Sequence, residues 1–325
     1  MTGILQKRIK IQRLKISEKA VAGLLPLTFF MLLLKDPTLA AGSALRGLRL
    51  CAEVVIPSLF PFAVLSGMMI GNGLLLHIPH SFTRPLQHML GLSHAGACVL
   101  LPCVLCGFPM GAGCVADAVE KGMVTEEEGE RLLLFCNLPS PAFCIGTVGA
   151  TLWGSRVIGL QLYAVTIFAA ATVGILTRPK LRPTESKVLL WQSNDSTASL
   201  LTASLKNAAQ AMLSVSACVV FFTAISEIVR HYLIAAALPI WIASAIDYLL
   251  ELSGAASRGA LPGNPMALLL CAFGTGWSGL SVHCQILTVC ESKGLKAPGY
   301  LVSKMLQGIL AAILMRALIL LFNST

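Results

Sequence analysis

Long runs that lack Asp, Glu, Lys and Arg recur along this chain and constrain its fold more than any other feature. They are Val54–Thr83, Pro85–Ala116, Leu132–Ser155, Val157–Thr177, Asn207–Ser226, His231–Ile246, Gly259–Cys290 and Met305–Met315. A membrane-spanning helix needs about 20 mostly apolar residues, and only 12% of the 325 residues are charged, against about 25% in soluble proteins. We therefore expect an all-α polytopic membrane protein with about eight to ten membrane segments, some of them half-length.

The positive charge of the chain is concentrated in two places beside apolar runs. The formal net charge is +9. Residues 1–19 form a basic N-terminal arm whose cations alternate with Ile and Leu, and Arg178–Lys187 is a second basic cluster. By the positive-inside rule both lie in the cytoplasm, and the arm suits a surface of anionic lipid. No nucleic-acid-binding motif accompanies either cluster, so the expected partner is the lipid bilayer and not nucleic acid.

The first apolar stretch, residues 20–34, allows two interpretations. The small residues at 40–42 suit a cleaved signal peptide, but the basic lead of residues 1–19 is long for one. We favour a retained first helix.

The cysteines of the chain predict packing and not metal chemistry. Nearly all of the 11 cysteines lie inside the uncharged runs, where small residues pack helices together. The spacing Cys103-x-x-Cys106 is half of a zinc or redox motif, but no second pair and no histidine cluster at ligand spacing follows it. We therefore expect neither a metal nor a cofactor.

The second uncharged run contains a segment that should not form one continuous helix. Leu100–Cys114 carries two prolines and three glycines, among them Gly107, Pro109 and Gly111. Proline removes a backbone donor, and glycine permits conformations that other residues resist. In lipid such opened backbone is tolerated only where it faces protein or a water-filled cavity, and transporters build solute sites in this way.

A polar connector, residues 178–204, divides the chain into a first membrane half, residues 20–177, and a second membrane half, residues 205–325. The second half also has a glycine-rich apolar break, Gly274–Gly279. Interrupted apolar segments in corresponding positions of two halves indicate a transporter site near the bilayer midplane.

A further break is expected in the first half. Thr125 and Glu128 form a capping box, which predicts a helix that starts there and runs through Phe135. Two prolines follow closely and end or redirect this helix, which leaves Asn137 and Ser140 in opened backbone at membrane depth.

Six motifs occur together along nearly the whole chain. They are Cys106–Ala112, Glu128–Leu133, Asn137–Pro141, Gly146–Gly149, Leu250–Gly254 and Gly279–Gln285. In combination they resemble the signature of the nucleoside-recognition, or Gate, membrane proteins, and among these the YlbJ-type sporulation integral membrane proteins. The resemblance implies two inverted repeats with broken or re-entrant helices, similar to the fold of concentrative nucleoside transporters.

The resemblance also implies a biological setting. YlbJ-type proteins belong to endospore-forming bacteria, serve in making a normal spore cortex, and are implicated in moving dipicolinic acid out of the mother cell. The implied location is the cell membrane, as a multi-pass protein, and specifically the mother-cell-derived outer forespore membrane. This chain departs from the family at one position. Family members often have a lysine soon after the Gly-Ala pair, here Gly111 and Ala112, whereas this chain has Gly113 and Cys114.

The candidate substrate site combines the breaks of both halves. Its residues are Cys106, Gly107, Pro109, Gly111, Asn137, Ser140, Pro141, Glu251, Ser253, Gly254, Ser278, Ser281, His283 and Gln285. Half-helix N-termini would attract the carboxylates of an anion, whereas amide and hydroxyl groups would hold an uncharged nucleoside. The alternative for Asn137 and Ser140 is a kink in which they satisfy their own backbone. The alternative for His283 is a hydrogen-bonded packing residue.

Three ionisable residues near apolar sequence need separate interpretation. Glu251 lies among leucines, which is costly in lipid and marks a functional site by default. Asp247, four residues earlier, shares a helical face with it, and two neighbouring carboxylates can share a proton and couple transport to it. The alternative is a segment end where both are solvated. Lys304 is a candidate anion partner, although snorkelling to the interface is the commoner explanation for a lysine.

These features together predict a secondary transporter of a small polar or anionic solute that works by alternating access. By resemblance the solute is dipicolinic acid; the alternatives are a nucleoside-type solute and a non-transporting membrane scaffold for spore cortex assembly. Walker A, H-E-x-x-H and G-x-S-x-G motifs are missing from the sequence, so we expect neither ATP drive nor an enzyme. A coupling ion, H⁺ or Na⁺, and a homo-oligomer are further candidate partners.

The two cytoplasmic basic clusters also constrain the topology. An even number of crossings must separate them. Five apolar runs lie between the two clusters, so one of them must form a re-entrant hairpin that does not cross the membrane. Residues 137–149 are our candidate for this hairpin.

Overall fold

The structure is a computed structural model that describes residues 23–24, 26–179 and 196–322, and these residues form helices without any strand. The helices are α1 Pro26–Lys35, α2 Pro37–Leu50, α3 Ile56–Gly71, α4 His80–Leu90, α5 His94–Cys106, α6 Met110–Glu120, α7 Glu126–Cys136, α8 Arg156–Leu176, α9 Thr197–Ala235, α10 Ile240–Leu250, α11 Leu252–Gly259, α12 Pro265–Trp277, α13 Gly279–Ser292 and α14 Tyr300–Phe322. Two π-helical segments, Cys51–Val55 and Ala142–Leu152, and a short 3₁₀ turn at Leu74–His77 complete the fold. The expected all-α polytopic membrane protein is confirmed.

Five stretches of helix are long and apolar enough to cross a membrane. They are Pro37–Gly71, Arg156–Leu176, Thr197–Ala235, Pro265–Ser292 and Tyr300–Leu321. The pair α4 and α5, bent by 93°, makes a sixth if it counts as one span. The expected eight to ten segments are reached only when the shorter apolar helices, such as α1 and α10, count as half-length segments. Uncharged length overestimates helix length, because the run Leu132–Ser155 is divided between α7, an irregular break and the second π-helical segment.

The predicted breaks in both halves are confirmed. α5 ends at Cys106 and α6 begins only at Met110, with Gly107 between them at φ +78°. In the second half α12 ends at Trp277, and Ser278 adopts φ +79° before α13 begins. Each half has a further break, after α7 and between α10 and α11. Whether the two halves are related by inversion stays a prediction.

The predicted helix after Thr125 is also confirmed, but its capping differs from a reciprocal box. The hydroxyl of Thr125 accepts a hydrogen bond from the amide of Glu128 at 3.2 Å. The carboxylate of Glu128 does not return to Thr125. It accepts instead from the amide and hydroxyl of Ser93, at 2.7 and 2.8 Å, and so holds the N-terminus of α5 against α7. The helix ends at Cys136, before the two prolines as expected.

Close backbone contacts hold the membrane helices together. A Cβ on Gly159 of α8 would lie 2.6 Å from the carbonyl oxygen of Cys144 in the second π-helical segment. A Cβ on Gly276 of α12 would lie 2.6 Å from the carbonyl oxygen of Gln307 in α14. Small residues allow such approaches, which drive helix association in lipid. The region expected to be re-entrant, residues 137–149, thus packs against α8 through a segment of 11 residues.

Only some of the domain limits expected from sequence fall within the described residues. The basic arm, residues 1–19, and residues 180–195 of the connector lie outside the described residues. The expected connector continues to residue 204, whereas α9 already begins at Thr197. Ser196 caps that helix by accepting a hydrogen bond from the amide of Ser199 at 3.2 Å, so residues 197–204 of the expected connector are helical.

Candidate functional site

Breaks from both halves of the chain meet at one cleft. Its polar lining residues are Ser58, Ser140, Glu251, Ser253 and Gln285, and its apolar walls come from the start of α3, the middle of α9 and one face of α13. The empty space, including the part that is open to the outside, is about 520 Å³. Four residues of the candidate substrate site therefore share this cleft, together with Ser58.

The carboxylate of Glu251 occupies the N-terminus of α11 inside the cleft. Glu251 is extended and only 1% exposed. It accepts hydrogen bonds from the amide of Ser253, at 2.8 Å, and from the amide of Gly254. A carboxylate is well placed at a helix N-terminus because free amides and the helix dipole favour negative charge there.

The two breaks of the first half are in direct backbone contact beside the cleft. A Cβ on Gly107 would lie 2.6 Å from the backbone nitrogen of Ser140. The amide of Phe108 donates to the carbonyl oxygen of Leu138 at 2.8 Å. The opened backbone of one break thus satisfies the opened backbone of the other, as a membrane interior requires.

The two breaks of the second half meet in a similar way. Gly279 has φ +84°, and a Cβ there would lie 3.1 Å from the backbone nitrogen of Leu252 and 3.3 Å from the Cα of Glu251. Gly254 lies between two charged side chains, since its Cβ would be 2.9 Å from Glu251 Oε2 and 2.8 Å from Arg258 Nη1. The guanidinium of Arg258 therefore lies close to the carboxylate of Glu251.

One face of α13 completes the cleft. Val282 and Gln285, three residues apart, both line it. The amide nitrogen of Gln285 donates to the hydroxyl of Ser281 at 3.3 Å, so Ser281 orients Gln285 from a buried position one turn earlier.

Asn137 and His283 are buried away from the cleft lining. The side-chain nitrogen of Asn137 donates to the carbonyl oxygen of Leu133 at 3.1 Å, but its Oδ1 is buried without a hydrogen-bond partner among the described residues, so its role as a substrate contact stays a prediction. His283 shares a hydrogen bond of 3.0 Å with the hydroxyl of Tyr300 and packs edge-on against Trp277. These contacts agree with the packing alternative for His283, but its Nε2 is buried without a hydrogen-bond partner among the described residues, so its role as a substrate contact stays a prediction.

The remaining candidate residues shape the breaks and do not line the cleft. Pro109 directly precedes α6 and follows a cis peptide bond, and Pro141 directly precedes the second π-helical segment. A Cβ on Gly111 would lie 3.2 Å from the carbonyl oxygen of Cys136. Cys106 and Ser278 are buried at the ends of α5 and α12.

Lys304 corrects the snorkelling interpretation. Its side chain is 0% exposed, and its ammonium donates to the carbonyl oxygen of Asn137 at 2.8 Å and to Oε1 of Gln307 at 3.2 Å. Snorkelling fails because these acceptors, which the end of α7 and the next turn of α14 supply, lie in the interior. Lys304 is not among the residues that line the cleft.

Asp247 is paired with cations. Its Oδ1 accepts from the hydroxyl of Ser226 at 2.7 Å, while Oδ2 lies 2.8 Å from Nη1 of Arg230 and 3.4 Å from Nε of Arg258. The negative charge of Asp247 is therefore balanced by the guanidinium groups of Arg230 and Arg258. The second carboxylate that the proton-coupling hypothesis placed beside Glu251 serves instead in a charge network that joins α9, α10 and α11.

An ion-pair cluster joins the far ends of α6 and α13. The ammonium of Lys293, just after α13, lies 2.8 Å from Asp117 and also contacts Glu120, both on α6. Partial burial alone would lower the pKa of Lys293, but the hydrogen bonds to the two carboxylates outweigh it and raise that pKa above its usual value.

The cysteines of the described part of the chain form no disulfide and contribute to no cluster of metal-binding side chains there. Cys103 donates to the carbonyl oxygens of Val99 and Gly111, at 3.1 and 3.3 Å. Its thiol thus contacts the backbone of both helices and helps to close the break between α5 and α6.

Several cleft residues were not predicted from sequence. Ser58 follows Pro57 at the start of α3, and Val215 and Val219 lie one turn apart on α9. A serine beside two prolines was a usable signal for opened backbone. The valines of α9 gave none, because only the tertiary packing of α9 brings them to the breaks.

Comparison with known proteins supports the resemblance to a sporulation membrane protein at low sequence identity. The chain is 24% identical to the sporulation integral membrane protein YlbJ of Bacillus subtilis strain 168 over 334 aligned positions, which cover 89% of this chain and 81% of that protein. No family model matches the chain. No solved structure matches it.

Proposed function

We propose that this relative of YlbJ is a secondary transporter that moves a small polar or anionic solute by alternating access, with dipicolinic acid as its substrate during sporulation. The observation that carries the proposal is the cleft at which breaks from both halves converge. Interrupted helices that meet around a partly polar cavity are the usual architecture of a transporter site. The similarity to a sporulation integral membrane protein supports the biological setting.

The chemistry of the cleft favours a flat solute with polar edges. Ser140, Ser253 and Gln285 supply hydroxyl and amide groups, and Phe108 and Phe143 supply aromatic walls. An aromatic dicarboxylate matches this division between apolar faces and polar edges. Arg258, which lies close to the capping carboxylate of Glu251, already pairs with Asp247 and Glu227, so an anionic solute would rely on the hydroxyl and amide donors of the cleft.

A nucleoside-type solute is the second candidate. It is favoured by one observation: the cleft lining contains no Lys or Arg among the described residues. An uncharged base and ribose would use the hydroxyl and amide groups without needing a counterion.

The proposal also includes a coupling ion, an oligomeric state and a location. The coupling ion is H⁺ or Na⁺, the protein acts as a homo-oligomer without enzymatic activity, and it resides in the outer forespore membrane. We place no metal or cofactor in the mechanism.

Uptake by proteoliposomes tests the transport function. Vesicles containing the full chain should accumulate radiolabelled dipicolinate above the level of empty vesicles, and excess unlabelled dipicolinate should compete more strongly than uridine. Stronger competition by uridine would favour the nucleoside alternative. Uptake equal to that of empty vesicles, with the protein shown to be inserted and folded, would refute transport of either solute.

A further inference from the structure

We propose that Lys304 is a positioning residue that sets the geometry of the break between α7 and the second π-helical segment, and with it the position of Ser140 in the cleft. This inference rests on the proposed function only in treating the cleft as a solute site. The role follows from where the ammonium donates its hydrogen bonds and from what the accepting backbone controls.

The end of α7 is held by three side chains of α14. Gln307 donates to the carbonyl oxygen of Leu134 at 2.6 Å. The hydroxyl of Ser303 is shared between that oxygen, at 3.0 Å, and the carbonyl oxygen of Tyr300 in its own helix, at 2.7 Å. Lys304 donates to the carbonyl oxygen of Asn137 at 2.8 Å. The last carbonyls of a helix have no partner within the helix, and in a membrane interior each must find one elsewhere.

Lys304 differs from its two neighbours because it alone reaches beyond the helix into the break. Asn137 is the first residue after α7, and its carbonyl precedes the segment that carries Ser140. Ser303 and Gln307 fix the last turn, whereas Lys304 fixes the departure of the chain from it.

The ammonium is held by neutral oxygens alone. Gln307 Oε1 accepts from it at 3.2 Å, and within the described residues it forms no ion pair with a carboxylate. A fully buried cation without a counterion is costly. That cost is offset best when the carbonyl of Asn137 stays in place, so displacement of the break is strongly opposed.

The break transmits this position to the cleft through the backbone. Leu138 accepts from the amide of Phe108, and Ser140 touches the backbone of Gly107. Ser140 and Phe108 both line the cleft. A shift at Asn137 must therefore move two lining residues together.

The test measures the exposure of residue 140 directly and does not require transport. Ser140→Cys is introduced with Cys218→Ser and Cys284→Ser, which removes the two cysteines of the described chain that are not buried. The rate at which a small methanethiosulfonate reagent labels this cysteine is then compared with and without Lys304→Met. We expect the rate to rise about tenfold, a factor that corresponds to about 1.4 kcal/mol.

The matched control is Ser303→Ala. It removes a donor from the same helix and the same cluster but makes no contact with Asn137, so the labelling rate should change by less than about twofold, which lies within ordinary mutational noise. An equal rise with Ser303→Ala would mean that general packing of α14, and not Lys304, positions the break.

Chemical rescue separates the ammonium from the space it fills. Lys304→Ala leaves room for propylammonium, which has N–H donors, and this ion should restore slow labelling; tetramethylammonium, which has none, should not. Equal rescue by both ions, or an unchanged rate in Lys304→Met, would overturn the proposal. If Lys304→Met does not fold, Lys304→Ala is purified with propylammonium, and labelling must accelerate as the amine is removed. Vesicles that take up no solute while labelling depends on Lys304 would refute the transport function and leave this role intact.

Discussion

At the scale of single residues, Glu251 is both a helix cap and a residue of the cleft lining. Its carboxylate caps α11 through the amides of Ser253 and Gly254, and the same side chain lines the cleft. Capping alone would explain its burial. Its place among the lining residues is what makes a role in solute binding testable.

We predict that Glu251→Ala and Asn264→Ala destabilise the protein equally but affect uptake differently. Asn264 caps α12 by accepting from the amides of Met266 and Ala267, at 3.0 and 3.2 Å, and lies outside the cleft lining. Loss of a helix cap costs about 0.5–2 kcal/mol. Thermal unfolding in detergent should show similar losses for both variants, while only Glu251→Ala should change dipicolinate uptake beyond what the loss of folded protein explains.

An equal change in dipicolinate uptake in Glu251→Ala and Asn264→Ala would show that Glu251 has only a structural role. Glu251→Gln then serves as a second comparison, because it keeps one acceptor oxygen without the charge.

Sequence could identify Glu251 as unusual because a carboxylate among leucines is costly wherever it lies. It could not assign the environment of Lys304. A lysine near the end of an apolar run has the same local pattern whether it reaches water or a buried carbonyl. The decision depends on Asn137, which is 167 positions away in the chain.

At the scale of elements, the structure is organised by breaks that contact other breaks. Gly107 meets Ser140, and Gly279 meets Leu252. Each contact joins two pieces of opened backbone within one half of the chain. The glycines are required because the approach leaves no room for a side chain.

We predict that Gly107→Ala impairs folding and uptake, whereas Gly113→Ala does not. Gly107 has φ +78°, a region that costs other residues about 1–3 kcal/mol, and its Cβ would overlap the backbone of Ser140. Gly113 lies inside α6 with nothing within 4 Å of an added Cβ. There alanine should stabilise the helix by about 0.5–1 kcal/mol.

Thermal unfolding and uptake of both variants measure the contrast. Equal behaviour of the two alanine variants would contradict the close approach of the two breaks.

The positions of these breaks could be predicted because Gly and Pro act through local backbone chemistry. The helix after Thr125 and its end before two prolines followed from the same reasoning. Partners across the breaks could not be predicted, since no local pattern indicates that Gly107 contacts Ser140. The carboxylate of Glu128 shows the same limit, because it leaves its own helix to reach Ser93.

At the scale of the whole molecule, a charge network ties the long helix α9 to α10 and α11 of the second half and to α2 of the first half. Arg258 of α11 contacts Asp247 of α10 and Glu227 of α9, and Arg230 of α9 also contacts Asp247. Arg46 of α2 pairs with Glu227 at the exposed edge. The network therefore spans four helices.

We predict that Asp247→Asn is far more destabilising than Arg46→Ala. The first change removes the charge of a buried carboxylate that Arg230 and Arg258 share, and breaking a buried pair in this way costs about 3–5 kcal/mol. The second removes a side chain that is 54% exposed, and surface pairs contribute about 0–1 kcal/mol. Chemical denaturation in detergent should rank the two losses in this order, and the reverse order would contradict the burial of the network.

The general architecture could be predicted because hydropathy and charge are additive along a chain. All-helical membrane character and the interruptions of the apolar runs followed from composition and pattern. The count of long spans and the partners of Asp247 depend on how helices bend and pack, which no single segment encodes.

The capped N-terminus of α11 has a consequence for which anions the cleft can accept. Any carboxylate that seeks the amides of Ser253 and Gly254 must first displace Glu251, which is tethered beside them. A tethered group acts like a ligand at millimolar or higher effective concentration. If the cleft binds the proposed solute, small monocarboxylates offer few other contacts there and compete poorly with Glu251. A solute with additional surface in the cleft could replace it, so the cap would act as a built-in competitor against common metabolic acids.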